Sequence, residues 1–368
     1  MALNQANFAS LLQTSGENEF ILKLLPSANT DYLITQVLEI PATIPVSQLA
    51  NLRIKIEGTG SSPELVRLVN RVPKGAYNFP YYILKLDRTV EETLPSGEKI
   101  FRMSANIVVE NLLLDGNWQW KLDAYHTPAN AQGYKNAPLL ARASTGKISR
   151  VIVRNFGAVG YVPWSHFGGF AGVETFPLRV GGDDVGQVPP LGQRRPWEVV
   201  DCEVHGFNGE YAGYTTEVMI ESNVASAEDG YTPGWARTDV NRRFAIVRNV
   251  QYRSESDGAF MIAMGNAGYP NGQYDSGRTT FTDSTVLNTS LGYNVDTGKV
   301  VGVDIQNNLG LGIWWWANLN SAASGWNDHF NINRNAVRFG PRARYPMFVR
   351  SAGKAWLTSV SSTRNLRW

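Results

Sequence analysis

Short runs that alternate apolar and polar residues recur along the chain and predict β-strands. Such a run is followed by Asn or Asp and then by a second apolar run, as in "IVVENLLLDG", "AIVRNVQYRS" and "FNINRNAVRF". Asn tolerates the left-handed backbone conformation that a tight bend requires. A bend between two strands is therefore predicted at each of these positions: Asn111, Asn155, Asp201, Asn249, Asp283, Asn307, Asn308 and Asn335.

The intervals between these bends indicate a repeat. They are 44, 46, 48 and 34 residues, and then 24 and 28 residues between Asp283, Asn307 and Asn335. A shortest interval in the mid-twenties, with longer ones carrying insertions, is the pattern of a solenoid. Stacked strands lie about 4.8 Å apart, so the amide of one Asn can bond to the Asn of the next repeat. A large β-sandwich is the alternative, but the hairpin signals NG and DG are sparse between alternating runs.

The segments "NFASLLQ", "LRIKIEGTG" and "IVVENLLLDGN" resemble the first part of proteins of the pectate-lyase-like superfamily. This resemblance implies an all-β fold, a single-stranded right-handed parallel β-helix over residues 31–368. It also implies an N-terminal cap with a helix in residues 1–30 and a long loop insertion at about 157–197. The resemblance is architectural. "GGDDVG" lies in a loop, the "NTD" and "GHG" motifs of polygalacturonases are absent, and "GPRARYP" does not match the arginine motif of pectate lyases.

Charge and cysteine content exclude several classes of function. The chain has 368 residues, with 34 Lys and Arg against 32 Asp and Glu, a net charge of +2. This balance argues against a nucleic-acid or membrane partner, which needs a clustered basic surface. The single cysteine, Cys202, excludes a disulfide framework and a zinc site of several thiolates, and it is predicted to be buried in a strand. No apolar run is long enough to span a membrane. The chain shows no signal peptide, so a cytoplasmic protein, a virion component and a mature extracellular domain all stay open.

The resemblance places the ligand groove on the first strand of each repeat. These first strands are predicted to begin at Glu217, Ala259, Gly292, Ile313 and Pro346. Alternation then assigns the apolar residues to the interior and the charged ones to the groove. The predicted groove positions include Glu217, Glu221, Asn294, Asp296, Trp314, Trp316 and Arg350, whereas Trp315 is predicted to lie in the core beneath Val295 and Val349.

Carboxylates and aromatic side chains make up the predicted site. Paired carboxylates serve as acid and base in glycoside cleavage, so Glu217, Asp257 and Asp296 are the catalytic candidates. The same cluster could instead hold Ca²⁺, the only cofactor considered, or form a solvated face with ordinary ion pairs. Flat aromatic faces suit sugar rings, and Arg350 suits an acidic sugar. The candidate substrate-binding residues are Trp314, Trp316, Arg350, Glu210, Tyr211, Glu221, Asn294 and His166.

Three functions follow from this reading. The leading one is a carbohydrate-active protein that binds and cleaves a polysaccharide or oligosaccharide, as a hydrolase or a lyase. The alternative is a non-enzymatic structural protein, similar to a phage tail spike, that forms a homotrimer or binds a surface glycan. In that case the same aromatic residues would form subunit contacts. An isomerase or cyclase on the same scaffold is the third.

Overall fold

A computed structural model describes the chain over residues 3–14, 18–26, 31–49, 51–72, 82–86, 88, 90–93, 95, 99–102, 104–117, 139–156, 178–181, 197–206, 217–220, 243–248, 251–261, 278–291, 293–296, 302–313, 317–321, 330–339 and 347–351. Helix is confined to α1 (Gln5–Thr14), the four-residue α2 (Val46–Leu49) and a 3₁₀ turn at Pro63–Leu65 in this part of the chain. None of its helices is long and apolar enough to cross a membrane.

Helix α1 packs on the first strands, as its apolar residues predict. The Asn4 side chain accepts a hydrogen bond from the backbone N–H of Asn7 (2.9 Å) and so caps the helix. Phe8 is fully buried and meets the ring of Phe20 edge to face, with 5.7 Å between centroids. The Gln5 amide bonds both the N–H and the C=O of Glu39. The helix is thereby fixed to the sheet by an apolar contact and by polar bonds at its first turn.

The strands in the first half of the chain are β1 (Glu19–Leu24), β2 (Tyr32–Ile34), β3 (Leu38–Glu39), β4 (Arg53–Gly58), β5 (Arg67–Asn70), β6 (Leu84–Leu86), β7 (Val90–Thr93), β8 (Lys99–Arg102), β9 (Ser104–Asp115), β10 (Leu139–Phe156) and β11 (Leu178–Gly181). The later strands are β12 (Trp197–Val200), β13 (Glu203–Gly206), β14 (Glu217–Ile220), β15 (Arg243–Arg248), β16 (Gln251–Met261), β17 (Arg278–Thr282), β18 (Thr285–Leu291), β19 (Tyr293–Asp296), β20 (Gly302–Gln306), β21 (Leu309–Ile313), β22 (Ala317–Ser321), β23 (Phe330–Asn333), β24 (Ala336–Phe339) and β25 (Met347–Ser351). Strand β11 lies inside the predicted loop insertion.

Twenty of these strands form one sheet, β19, β22 and β25 form a second, and β7 and β8 form an antiparallel pair. All other described pairings are parallel. The core lies where apolar residues stack in register across successive strands. Ile56, Val109, Ile148 and Val199 occupy one such row and are all buried. Because every second residue of these strands faces the interior, the alternating pattern correctly predicts which positions are buried.

The left-handed bends are confirmed at four predicted positions. Asn111, Asp201, Asp283 and Asn307 have φ between 54° and 57°. The prediction is wrong at Asn155, which lies within β10, and at Asn335. Arg150 (φ 52°) and Arg334 (φ 54°) adopt the left-handed conformation there instead. We call the bend residues Asn111, Arg150, Asp201, Asp283, Asn307 and Arg334 the bend column.

The residue that follows each bend faces the interior. Leu112, Val151 and Cys202 are each no more than 1% exposed. Leu112 pairs with Val151, so these interior positions are stacked in register. A buried position tolerates an apolar side chain or a fully bonded amide, and it excludes an arginine. This is why the arginine of an Arg-Asn pair takes the bend and the asparagine the interior.

The interior positions after the last bends hold what we call the amide ladder: Ser284, Asn308 and Asn335. The Asn308 side-chain oxygen accepts the N–H of Ser284 (2.9 Å), and its amide nitrogen donates to Phe281 O (3.0 Å). The Asn335 oxygen accepts from both the backbone N–H (3.1 Å) and the side-chain amide (2.9 Å) of Asn308. The Asn335 nitrogen donates to Ile305 O (2.8 Å). The predicted bonding between asparagines of successive repeats is thus confirmed.

The predicted right-handed parallel β-helix is wrong. The described strands form mostly parallel sheets with few helices, and no solenoid or closed sheet is present in this part of the chain. The intervals that suggested a solenoid measure the chain length between parallel neighbours. Any parallel pair needs a connection of a dozen residues or more, so intervals of 24 to 48 residues are equally consistent with an open parallel sheet.

Candidate functional site

Five of the predicted site residues lie in described strands. Glu217 begins β14, Asp257 lies in β16, Asn294 and Asp296 lie in β19, and Arg350 lies in β25. Their backbone positions are described and their side chains are not. The other predicted site residues lie outside the described residues: His166, Glu210, Tyr211, Glu221, Trp314 and Trp316.

Glu217 and Asp257 lie on neighbouring parallel strands. Glu217 pairs with Ala259, which is two residues beyond Asp257 in β16. Strands about 4.8 Å apart and a rise of about 3.3 Å per residue put the two Cα atoms about 8 Å apart. Because the offset is two residues, both positions belong to the same face of the sheet. The two carboxylates of a glycosidase are about 5–9.5 Å apart, so this backbone spacing suits an acid/base pair.

Asp296 belongs to the second sheet instead. Strands β19, β22 and β25 pair in parallel, so that Asp296, Asn320 and Arg350 occupy one row across the three strands. Asn294, Asn318 and Phe348 occupy the row two residues earlier. We call these six positions the polar grid. The row between them is Val295, Leu319 and Val349, which belongs to the opposite face and is entirely apolar.

The predicted place of the tryptophans is wrong in its register. Leu319, not Trp315, pairs with both Val295 and Val349. The strand predicted to begin at Ile313 begins at Ala317, and the three tryptophans lie between β21 and β22, outside the described residues. Sequence reasoning consequently missed Asn318 and Asn320. The alternation in "ANLNS" could have found them, but the neighbouring run of large apolar residues was taken for the strand.

A buried carboxylate outside the predicted site joins three strands. The Asp115 side chain is 2% exposed, and its Oδ2 accepts hydrogen bonds from Arg67 Nη2 (2.7 Å) and Arg154 Nε (3.4 Å). Its Oδ1 accepts from the N–H of Asn117 (2.9 Å). Two guanidinium groups and a backbone donor compensate the charge that burial would otherwise penalise. The side chain therefore holds together the ends of β5, β9 and β10.

A lysine separates two carboxylates on the outer face of β4 and β9. Glu57 pairs directly with Glu110, and Lys55 forms ion pairs with both carboxylates. The hydrogen bond from Lys55 lowers the pKa of Glu57, and the bonds to Glu110 and then Glu57 raise the pKa of Lys55. Two carboxylates opposite one another would repel, so the lysine makes this register compatible with the sheet.

Cys202 is buried, as predicted. Its sulfur lies 3.2 Å from Val200 O and 3.6 Å from Ile148 O, and burial raises the pKa of the thiol to about 12. A nucleophilic cysteine needs a lowered pKa and access to solvent, and Cys202 has neither. The thiol is therefore a small core side chain.

Within the described residues, no three His, Cys, Asp or Glu side chains converge on a possible metal site. The geometry available for chemistry is therefore the Glu217 and Asp257 pair and the polar grid. No family model matches the sequence, and the comparisons with curated proteins and with solved structures also gave no significant match.

Proposed function

We propose that this protein binds a polysaccharide and cleaves it, with Glu217 and Asp257 as the acid and base. The observation that carries the proposal is the pairing of Glu217 with Ala259, since it brings two carboxylate-bearing positions to one face, about 8 Å apart. One carboxylic acid would protonate the leaving oxygen, and the other carboxylate would activate water or attack the sugar. Either role requires the two residues to have different pKa values.

The polar grid is the proposed binding surface. Asn318 and Asn320 supply amides that both donate and accept hydrogen bonds, which sugar hydroxyls require. Arg350 offers a fixed charge for a carboxylated sugar, and Phe348 a flat apolar face. Asp296, the third carboxylate, is two strands from Arg350 in the same row. The grid is close to the pair along the chain, because Leu291 pairs with Ala259 and β19 begins two residues later.

Incubation with a panel of neutral and acidic polysaccharides tests the proposal. New reducing ends without ultraviolet absorbance identify a hydrolase, and unsaturated uronates, which absorb in the ultraviolet, identify a lyase. Glu217→Gln and Asp257→Asn should each lower the rate by about 10²–10⁴-fold without abolishing binding. Asn320→Ala should weaken binding with little change in turnover.

The matched control is Glu198→Gln, which removes a surface carboxylate that lies 3.9 Å from Lys147. It should leave both rate and affinity unchanged. A protein that neither binds nor cuts any polymer of the panel, and that runs as an obligate trimer by light scattering, contradicts the proposal. Equal losses of rate in Glu198→Gln and Glu217→Gln contradict the assignment of the pair.

A further inference from the structure

Strands β23 and β24 form an edge of the 20-stranded sheet. Among the described residues, β23 pairs with β20 alone and β24 pairs with β21 alone. Asn335, at the bend between them, is nevertheless only 6% exposed. Described strands flank it on one side only, so this burial requires a part of the chain outside the described residues.

The amide ladder specifies what that covering segment must supply. At each step, the N–H of one interior residue donates to the side-chain oxygen of the next: Ser284 to Asn308, and Asn308 to Asn335. The nitrogen of the later asparagine donates back to a strand carbonyl, Phe281 O or Ile305 O. The described residues supply no further asparagine for the N–H of Asn335. A third step requires a side-chain oxygen and an amide donor on a neighbouring strand.

The sequence contains such a residue at the matching distance. Asn320 and Arg350 are register partners, and Asn335 follows Asn320 by 15 residues, just as Asn365 follows Arg350 by 15 residues. Asn365 is preceded by Arg364, as Asn335 is preceded by Arg334, the residue at the bend. Equal chain lengths and an identical Arg-Asn pair therefore bring Asn365 to the position of the next step.

We propose that residues 360–368 of this chain dock on the edge of β23 and β24 as a further parallel pair of strands. Asn365 Oδ1 accepts the N–H of Asn335, and Asn365 Nδ2 donates to Ile332 O, following the earlier steps of the ladder. Arg364 continues the bend column after Arg334. The segment covers a row of backbone groups that would otherwise be free to pair with another chain.

Cross-linking tests the register directly in the full chain. In the proposed pairing Leu366 lies opposite Ala336, which is exposed, with the Cα atoms about 4.8 Å apart. This is within the range of about 4.4–6.8 Å for a disulfide. The variant Ala336→Cys/Leu366→Cys should form the disulfide under mild oxidation, detected as a linked peptide by mass spectrometry. The native Cys202 is buried and does not compete.

The control pair is Ala336→Cys/Arg367→Cys, whose second position belongs to the opposite face of the strand. It should remain reduced under the same conditions. Failure of the first pair to cross-link, or equal cross-linking of both, would overturn the proposal.

Hydrogen exchange tests the ladder itself without introducing cysteines. Asn365→Ala should speed exchange of the Asn335 amide by about tenfold for every 1.4 kcal/mol of local stability lost. The Asn308 amide, which donates to Asn335, should change much less. Unchanged protection at Asn335 in Asn365→Ala would show that another group accepts this bond.

Discussion

Replacing Asn308 by alanine removes the central member of the amide ladder. Three side-chain hydrogen bonds are lost: the bond accepted from Ser284 N and the bonds donated to Phe281 O and Asn335 Oδ1. Asn308 is 2% exposed, so water does not replace these partners without a rearrangement. Each bond contributes about 1 kcal/mol net, and a buried group left without its partner costs about 1–3 kcal/mol. The free energy of unfolding should therefore fall by about 3–5 kcal/mol.

Equilibrium urea unfolding measures this difference, with the dependence on urea concentration compared between variants. The matched control is Asn307→Gly at the adjacent position. Asn307 is exposed, has φ 57° and makes one side-chain bond, to Asp283 (3.2 Å). Glycine adopts this φ without strain, so the control should change the stability by about 0.5 kcal/mol or less.

The comparison separates two explanations of the Asn-Asn sequence. If both variants lose the same small amount, the ladder does not stabilise the sheet and the reasoning is refuted. If Asn307→Gly is the more destabilising, the bend and not the interior amide is the important position. A loss confined to Asn308→Ala supports the hydrogen-bond account.

Three further changes have defined outcomes. Gly58→Ala places a Cβ 2.0 Å from the backbone oxygen of Asn111, so the strand must move; we expect a loss of about 3 kcal/mol by thermal unfolding, and a neutral result would contradict the close approach. Lys55→Met removes the hydrogen bond that lowers the pKa of Glu57; that bond stabilises the fold above the ordinary pKa of the carboxyl and is lost as pH falls, so the variant should show a smaller loss of stability between neutral and acid pH, by about 1 kcal/mol at most. Because the pKa of Cys202 is raised from 9.0 to about 12, the unfolded chain loses its thiol proton first; stability should fall as pH rises from about 9 towards 12, and a Cys202→Ala variant measured alongside should lack this component.

The fold could be predicted in its elements and not in its architecture. Alternation identified the strands, and the tolerance of asparagine for positive φ identified bends at Asn111 and Asn307. The same reasoning could not decide which residue of Arg334-Asn335 takes the bend, because that depends on the stacked neighbours. It also could not separate an open parallel sheet from a solenoid, because both need connections of similar length.

The candidate site was predictable where strand and register coincide. The pairing of Glu217 with Ala259 follows the register predicted from the pattern. At "IWWWANLNS" two overlapping runs both fit a strand, and the larger side chains favoured the wrong one. Pairing with Val295 and Val349 selects Leu319, and this long-range contact is not visible in a local pattern.

The bend column has a consequence for how the chain tolerates change in length. Its members fix the register of each strand pair at one point, while the chain between them varies from 24 residues (Asp283 to Asn307) to 51 residues (Arg150 to Asp201). Doubling a connection costs only about 0.6 kcal/mol of closure entropy. New loops can therefore be grafted between anchored bends without altering the sheet, and a new binding surface would be acquired by insertion rather than by redesign of the core.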